Sequence, residues 1–198
     1  RVKAAEVLAQ AEQLAGGSRL LALVLAERGE AREVEGDLEG AAKALQQALQ
    51  LAAEAVEVAR WHGEVDLPAR LEARLATISF ARRDVGTALT LLESSLAKWR
   101  QAAWPFSEAR VLSTMGTVFA YQQRFVEASG AYQAASQAGA RSGDYKFQAR
   151  ALLQQAKALR RAQGDSALMK SIASEARKLA LVVGWEEGRV DASALLGQ

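Results

Sequence analysis

Three strings of the same make-up, Ala69-Arg70-Leu71, Ala109-Arg110-Val111 and Ala149-Arg150-Ala151, stand 40 residues apart along the chain. A short polar break follows each of them, at Arg83-Asp84, Gln123-Arg124 and Gly164-Asp165, and an earlier break lies at Gly36-Asp37. Beyond the breaks the apolar residues fall three and four apart: Ala41, Leu45, Ala48 and Leu49, then Ala88, Leu92 and Leu96, then Ala128, Tyr132 and Ala135. That spacing marks one face of a helix. Each unit therefore reads helix, tight turn, helix. A chain that repeats such a unit buries its apolar faces by stacking one unit on the next.

Composition agrees with helix. Half of the 198 residues are apolar, and only Pro68 and Pro105 interrupt them. The apolar share is mostly Ala and Leu, which favour helix, while β-branched residues are sparse. Gly36 and Gly164 suit the left-handed residue that ends a helix. Asp37, Asp84 and Asp165 suit the N-cap of the next helix, where a carboxylate accepts from free amides.

The expected map follows. Residues 1–15 form a helix of a partial unit, stopped by Gly16-Gly17. Further helices are expected at Ser18 to Glu35, Leu38 to Trp61, Leu67 to Arg82, Val85 to Gln101, Ser107 to Gln122, Val126 to Arg141, Tyr145 to Gln163 and Ser166 to Val182. A last one at about Glu187 to Leu196 begins a further unit or caps the stack. The single repeat domain then divides into a partial unit (1–17), repeats at about 18–66, 67–106, 107–144 and 145–184, and a C-terminal cap (185–198). The chain starts at Arg1 and shows no signal-peptide pattern, so it reads as a domain excised from a longer protein.

The run Leu112, Met115, Gly116, Phe119, Ala128, Tyr132 and Ala135 resembles the signature of the tetratricopeptide repeat (TPR) family. That signature wants a large residue, Leu, a small residue and an aromatic on its first helix, and small, aromatic, small on its second. The units around Leu75, Ala76, Ala88, Leu92 and Ser95, and around Leu25, Gly29, Ala41, Leu45 and Ala48, match less fully, with Arg28 in place of an apolar residue. The unit with Leu153, Ala156, Met169, Ala173 and Ala176 is degenerate. The period departs from the family's usual spacing of about 34 residues: it is 40 here, and 47 from Ala41 to Ala88. Long-period repeats of this kind are similar to sensor arms of large bacterial regulators and to scaffolds. The resemblance implies an all-α solenoid of stacked antiparallel helix pairs in a right-handed superhelix.

It also implies that the first helix of each pair lines a concave groove. By that register the partner-binding candidates are Arg70, Thr77 and Phe80 in one repeat, Arg110, Ser113, Thr117 and Tyr121 in the next, and Arg150, Gln154 and Arg161 in the third. The recurring arginine has two readings. A ladder across the groove would suit acidic side chains or a terminal carboxylate, because a guanidinium binds them bidentately. Alternatively, each arginine pairs with an acid on the preceding helix and sets the repeat angle. Trp61, Trp99, Trp104 and Trp185, late in second helices or in the links, are expected to wedge between helices, with partner anchoring as the other reading.

Catalytic chemistry is not expected. Cysteine is absent and His62 is the one histidine, so no Cys/His zinc set and no His pair for a metal exist. No Gly-x-Ser-x-Gly occurs, and Gly16-Gly17-Ser18 is not followed by Lys. The carboxylate pairs Glu33 with Asp37 and Glu186 with Glu187 read as solvated. No cofactor is expected. Six acids lie between Glu27 and Glu39, and nine basic residues between Arg141 and Lys178, so the chain is acidic early and basic late. Lys146, Arg150, Lys157, Arg160 and Arg161 share part of a helical stripe near Tyr145 and Phe147, but a net charge of +2 argues against a nucleic-acid protein. No run is long and apolar enough to span a membrane, and the lack of cysteine fits a reducing, cytoplasmic setting. The expected function is a scaffold or adaptor that grips a partner protein or peptide, acidic in character. The alternative is the sensor arm of a larger signalling ATPase, kinase or transcription regulator.

Overall fold

The structure, a computed structural model, describes residues 18–59 and 66–197. The expected helix at 1–15, its Gly16-Gly17 stop, Trp61 and His62 lie outside the described residues. Among those described there are nine α-helices and no strand. They are α1 (Ser18–Val34), α2 (Leu38–Ala59), α3 (Asp66–Ala81), α4 (Val85–Gln101), α5 (Pro105–Tyr121), α6 (Phe125–Ser142), α7 (Tyr145–Arg161), α8 (Ser166–Val182) and α9 (Glu186–Leu196). The helix pairs fall where the 40-residue period puts them. Two described boundaries differ by two residues: α7 ends at Arg161 rather than Gln163, and α5 starts at Pro105 rather than Ser107. Proline fits the first turn of a helix because its missing N–H would have no intrahelical partner there.

The chain forms two compact units, Arg1–Ala102 and Ala103–Gln198. In the first, α1 packs on α2, α2 on α3, and α3 on α4. Its core includes Ala22, Leu25, Ala41, Leu45, Ala48, Leu71, Leu75 and Ile78, all buried. In the second, each of α5 to α9 packs on the next, and α9 also reaches α7. Leu152, Leu153, Ala156, Met169, Ile172, Ala173, Ala176 and Leu195 form one buried cluster there. Ala128, Tyr132 and Ala158 form another, with Phe119 and Ala120 packed against them.

The spacing of paired helices is set by a small residue facing a large one. At Gly116 on α5, a Cβ would sit 2.7 Å from Cε1 of Tyr132 on α6. At Gly29 on α1, it would sit 2.9 Å from Cγ of Leu45 on α2. Ala76 and Ala156 hold the same position in the other two repeats, and both are fully buried. A bulkier residue at any of these places would push the pair apart.

The turns inside the pairs share one geometry. Gly36, Arg83, Gln123 and Gln163 all have positive φ, at 84°, 66°, 61° and 53°. Each gives its amide to the carbonyl three residues back, and the next residue's amide reaches five back: Asp84 to Ser79, Arg124 to Phe119, Gly164 to Leu159. These are Schellman closures, which satisfy the last carbonyls of the helix. The left-handed residue of the last turn is thus Gln163 and not Gly164, because the closure falls one residue earlier than the Gly-Asp pair suggests. Asp37, Asp84 and Asp165 cap the next helices as expected, accepting from the amides of Gly40, Thr87, and Ala167 with Leu168. Asp144 does the same for Phe147. Hydrogen bonds from Thr87, side chain first and then backbone, hold the Asp84 carboxyl below its ordinary value. That cap is therefore complete at neutral pH and fails only as acid passes the lowered value.

Ion pairs link one helix pair to the next within each unit. Arg74 on α3 reaches Glu30 and, at 3.0 Å, Glu33 on α1. Arg82, just past the end of α3, reaches Glu39 on α2. Glu33 is thus half-buried and paired, not merely solvated, whereas Glu186 pairs with Arg189 on its own helix. The early acids are partly absorbed by this stitching. Glu72, buried on α3, takes two contacts from Lys98 Nζ on α4, at 2.7 and 2.8 Å, and a hydrogen bond from Ser94.

Non-glycine residues in left-handed turns carry a steric cost of about 1–2 kcal/mol. Gln123→Gly is therefore expected to raise stability by about 1 kcal/mol, and Gly143→Ala, at a φ of 74°, to lower it by a similar amount. Urea unfolding of the two variants measures both shifts.

Candidate functional site

The sequence-predicted residues fall in both units. In the first, Arg70 is exposed and lies 3.7 Å from Asp66, one turn back on its own helix. Thr77 is exposed and donates its hydroxyl to the carbonyl of Ala73, while Phe80 is half-buried. The acid beside Arg70 is thus on α3 itself, not on a preceding helix.

In the second unit, the two recurring arginines rest on aromatic rings. Arg110 lies 5.9 Å from the centre of the Phe106 ring, one turn back, and Arg150 lies 5.4 Å from that of Trp185. Among the described residues neither is paired with an acid. Stacking leaves the edge of a guanidinium, with its N–H groups, open to an acceptor. Trp185 lies close over Gly188 and is only half-exposed, so it does pack between helices. Trp99 is buried, and Trp104 is 52 % exposed. Trp104 and Trp185 both precede the first residue of a helix, where neither side chain supplies a cap.

A cavity of about 390 Å³ opens between the end of α5, the start of α6 and the second half of α7. Its floor is Ala120, Phe125, Tyr132 and Ala158, and its wall is Gln154, Lys157, Arg160 and Arg161. Residues 154, 157, 158 and 161 share one face of α7, with Arg160 at its edge. Tyr132 is mostly buried, and its hydroxyl bonds the hydroxyl of Thr117 at 3.1 Å. Burial pushes the phenol up and the Thr117 bond opposes this, so it stays neutral at physiological pH. Thr117 also bonds the carbonyl of Ser113, which is half-buried. Tyr121 is exposed at the end of α5.

The cavity therefore gathers Gln154 and Arg161, with Thr117 joined to it through Tyr132. Sequence reasoning put Lys157 and Arg160 on a basic stripe but not in the groove. It missed Phe125 altogether, whose ring lies 5.7 Å from the Arg161 guanidinium. The i, i+3, i+4, i+7 spacing from Gln154 was the available signal. Among the described residues, no group of three or more His, Cys, Asp or Glu could hold a metal ion, and no helix is long and apolar enough to cross a membrane.

No described protein family and no curated protein matches the chain by sequence. Solved structures do match. BtubC from P. vanneervenii has a TM-score of 0.75 at 17% identity, over 90% of this chain and 71% of that one. A putative kinesin light chain from Podospora anserina, described as having nearly identical TPR-like repeats, scores 0.72 at 14% identity, over 90% and 84%. A signal-transduction ATPase with a tetratricopeptide-repeat sensor from Pyrococcus horikoshii scores 0.61 at 14% identity; the match takes in 98% of this chain but only 35% of that protein. The chain is thus an all-helical repeat protein. Its repeats are TPR-like, stacked in the solenoid class of fold.

The bond between Thr117 and Tyr132 gives a local test. Tyr132→Phe keeps the packing against Gly116 and removes one hydrogen bond, so it is expected to cost about 1 kcal/mol in thermal unfolding. A loss much above that would mean the ring itself had moved.

Proposed function

We infer that this chain is a protein-interaction module that holds a partner protein or peptide on the open face of its first helices. The observation that carries the reading is the cavity beside α7. It is open, polar and cationic, and it includes Gln154 and Arg161, two residues expected to face a ligand. Arg110 and Arg150 support it, because each presents a guanidinium that no acid of the described chain neutralises. The same cations favour a partner with acidic side chains.

A second reading has one observation behind it. The Pyrococcus horikoshii protein carries a tetratricopeptide-repeat sensor in a signalling ATPase, and this chain aligns with about a third of its length. A sensor arm would use the same face for the molecule it detects. A nucleotide-binding module encoded in the same reading frame would select that reading.

The partner face can be mapped by placing a photo-crosslinking residue at Thr117 or Gln154, and at Gln133 or Gln137 on exposed α6 positions. Crosslinks to a partner are expected from the first pair only. Changing Arg110 and Arg150 together to Ala is expected to weaken capture by about 1–3 kcal/mol. Equal crosslinking from α6, or unchanged capture by a folded variant, would reject the proposed face.

A further inference from the structure

We propose that the cavity between α5, α6 and α7 is a receptor for a phosphomonoester group. The proposal rests on reading this face as a binding surface, and it names the chemistry that the surface takes.

Charge comes first. Three cationic side chains, Lys157, Arg160 and Arg161, line one wall. One acid answers them: Asp191 on α9 lies 2.7 Å from Lys157 Nζ. Arg160 is paired with no acid among the described residues. Arg161 is held by its Phe125 contact, which orients the guanidinium without neutralising it. The cavity thus keeps an excess of about two positive charges, the charge that a phosphomonoester carries in opposite sign at neutral pH. A carboxylate would satisfy half of it.

Geometry agrees. A phosphoryl group has three acceptor oxygens spread around one centre, and it is best held by several forked donors. Two guanidinium groups from adjacent residues at the end of α7, the Gln154 amide and the Lys157 ammonium supply such donors around one volume. The floor is apolar and aromatic, so the rest of the ligand has surface to cover. A cavity of about 390 Å³ is larger than a lone anion needs and lies in the range of small-ligand sites. The competing explanation is that Arg160 and Arg161 merely offset the dipole at the end of α7. That explanation leaves Gln154, nearly two turns earlier, without a reason to share the wall.

The phosphoryl group could sit on a side chain of a protein partner or on a free metabolite. The two sources present the same chemistry and differ in what surrounds it. A phosphoserine tetrapeptide capped at both ends and glucose 6-phosphate stand for them, with inorganic phosphate as the minimal probe. A capped aspartate tetrapeptide is the carboxylate comparison.

Calorimetric titration of the full 198-residue chain, with backbone amide NMR shifts, tests the site. Phosphate and at least one of the phosphomonoesters are expected to bind saturably, with shifts gathered at residues 117–132 and 154–161. The tighter of the two esters names the source. The capped aspartate peptide should bind at least tenfold more weakly. Lowering the pH from 7.5 to 5 should weaken the phosphomonoester about tenfold, because its second ionisation lies near pH 6. Arg160→Gln with Arg161→Gln should lose at least tenfold in affinity while circular dichroism stays unchanged. Should that pair fail to fold, Gln154→Leu with Lys157→Met gives a second reading of the same wall.

The proposal is overturned by equal binding of the aspartate peptide, by no saturable binding of any phosphate, or by full affinity in a folded double variant. It fails separately from the partner reading. Crosslinks from Thr117 with a phosphate-blind cavity remove this proposal alone, and phosphate binding with crosslinks only from α6 removes the other.

Discussion

The close approach of the two helices in each pair is the contact on which the rest of the structure depends. A glycine or alanine on the first helix lets a large side chain of the second lie against its backbone: Gly29 under Leu45, Gly116 under Tyr132. These contacts fix the distance and crossing of the pair. They thereby decide where the exposed side of the first helix points. The cavity beside α7 inherits its floor from this packing, because Tyr132 is at once the large residue of one pair and the base of the site.

The turns carry the second constraint. Inside each of three pairs a non-glycine residue, Arg83, Gln123 or Gln163, takes the left-handed conformation at 40-residue intervals. The chain accepts the steric cost because the closure there is geometrically obligatory. Two helices joined by three or four residues must reverse direction at once, and the carbonyls ending the first must find partners. The acids that follow, at Asp37, Asp84 and Asp165, begin the next helix within the same few residues.

Much of this was legible in the sequence. Period, polar breaks and apolar spacing gave the helix pairs, since each depends on local propensity and on one repeated contact. Less legible was where each turn closes and which neighbour each recurring residue meets. Gly164 looked like the left-handed residue because glycine is the usual one, yet the register of the closure put Gln163 there. Arg70, Arg110 and Arg150 occupy one repeat position but meet three different neighbours, Asp66, Phe106 and Trp185. Only the fold reveals which. The repeat register put Gln154 and Arg161 on one side of their helix, and both line the cavity. Lys157, Arg160 and Phe125 were not, because their convergence depends on how α6 and α7 pack.

The central contact can be measured by a double-mutant cycle at Gly116 and Tyr132 in urea unfolding. Gly116→Ala alone should cost about 1–3 kcal/mol, because the added methyl meets the tyrosine ring. In the background of Tyr132→Leu, where the ring is gone, the same change should cost less by at least about 1 kcal/mol. Costs that simply add, to within about 0.5 kcal/mol, would show that the two helices are not held at the distance this contact sets.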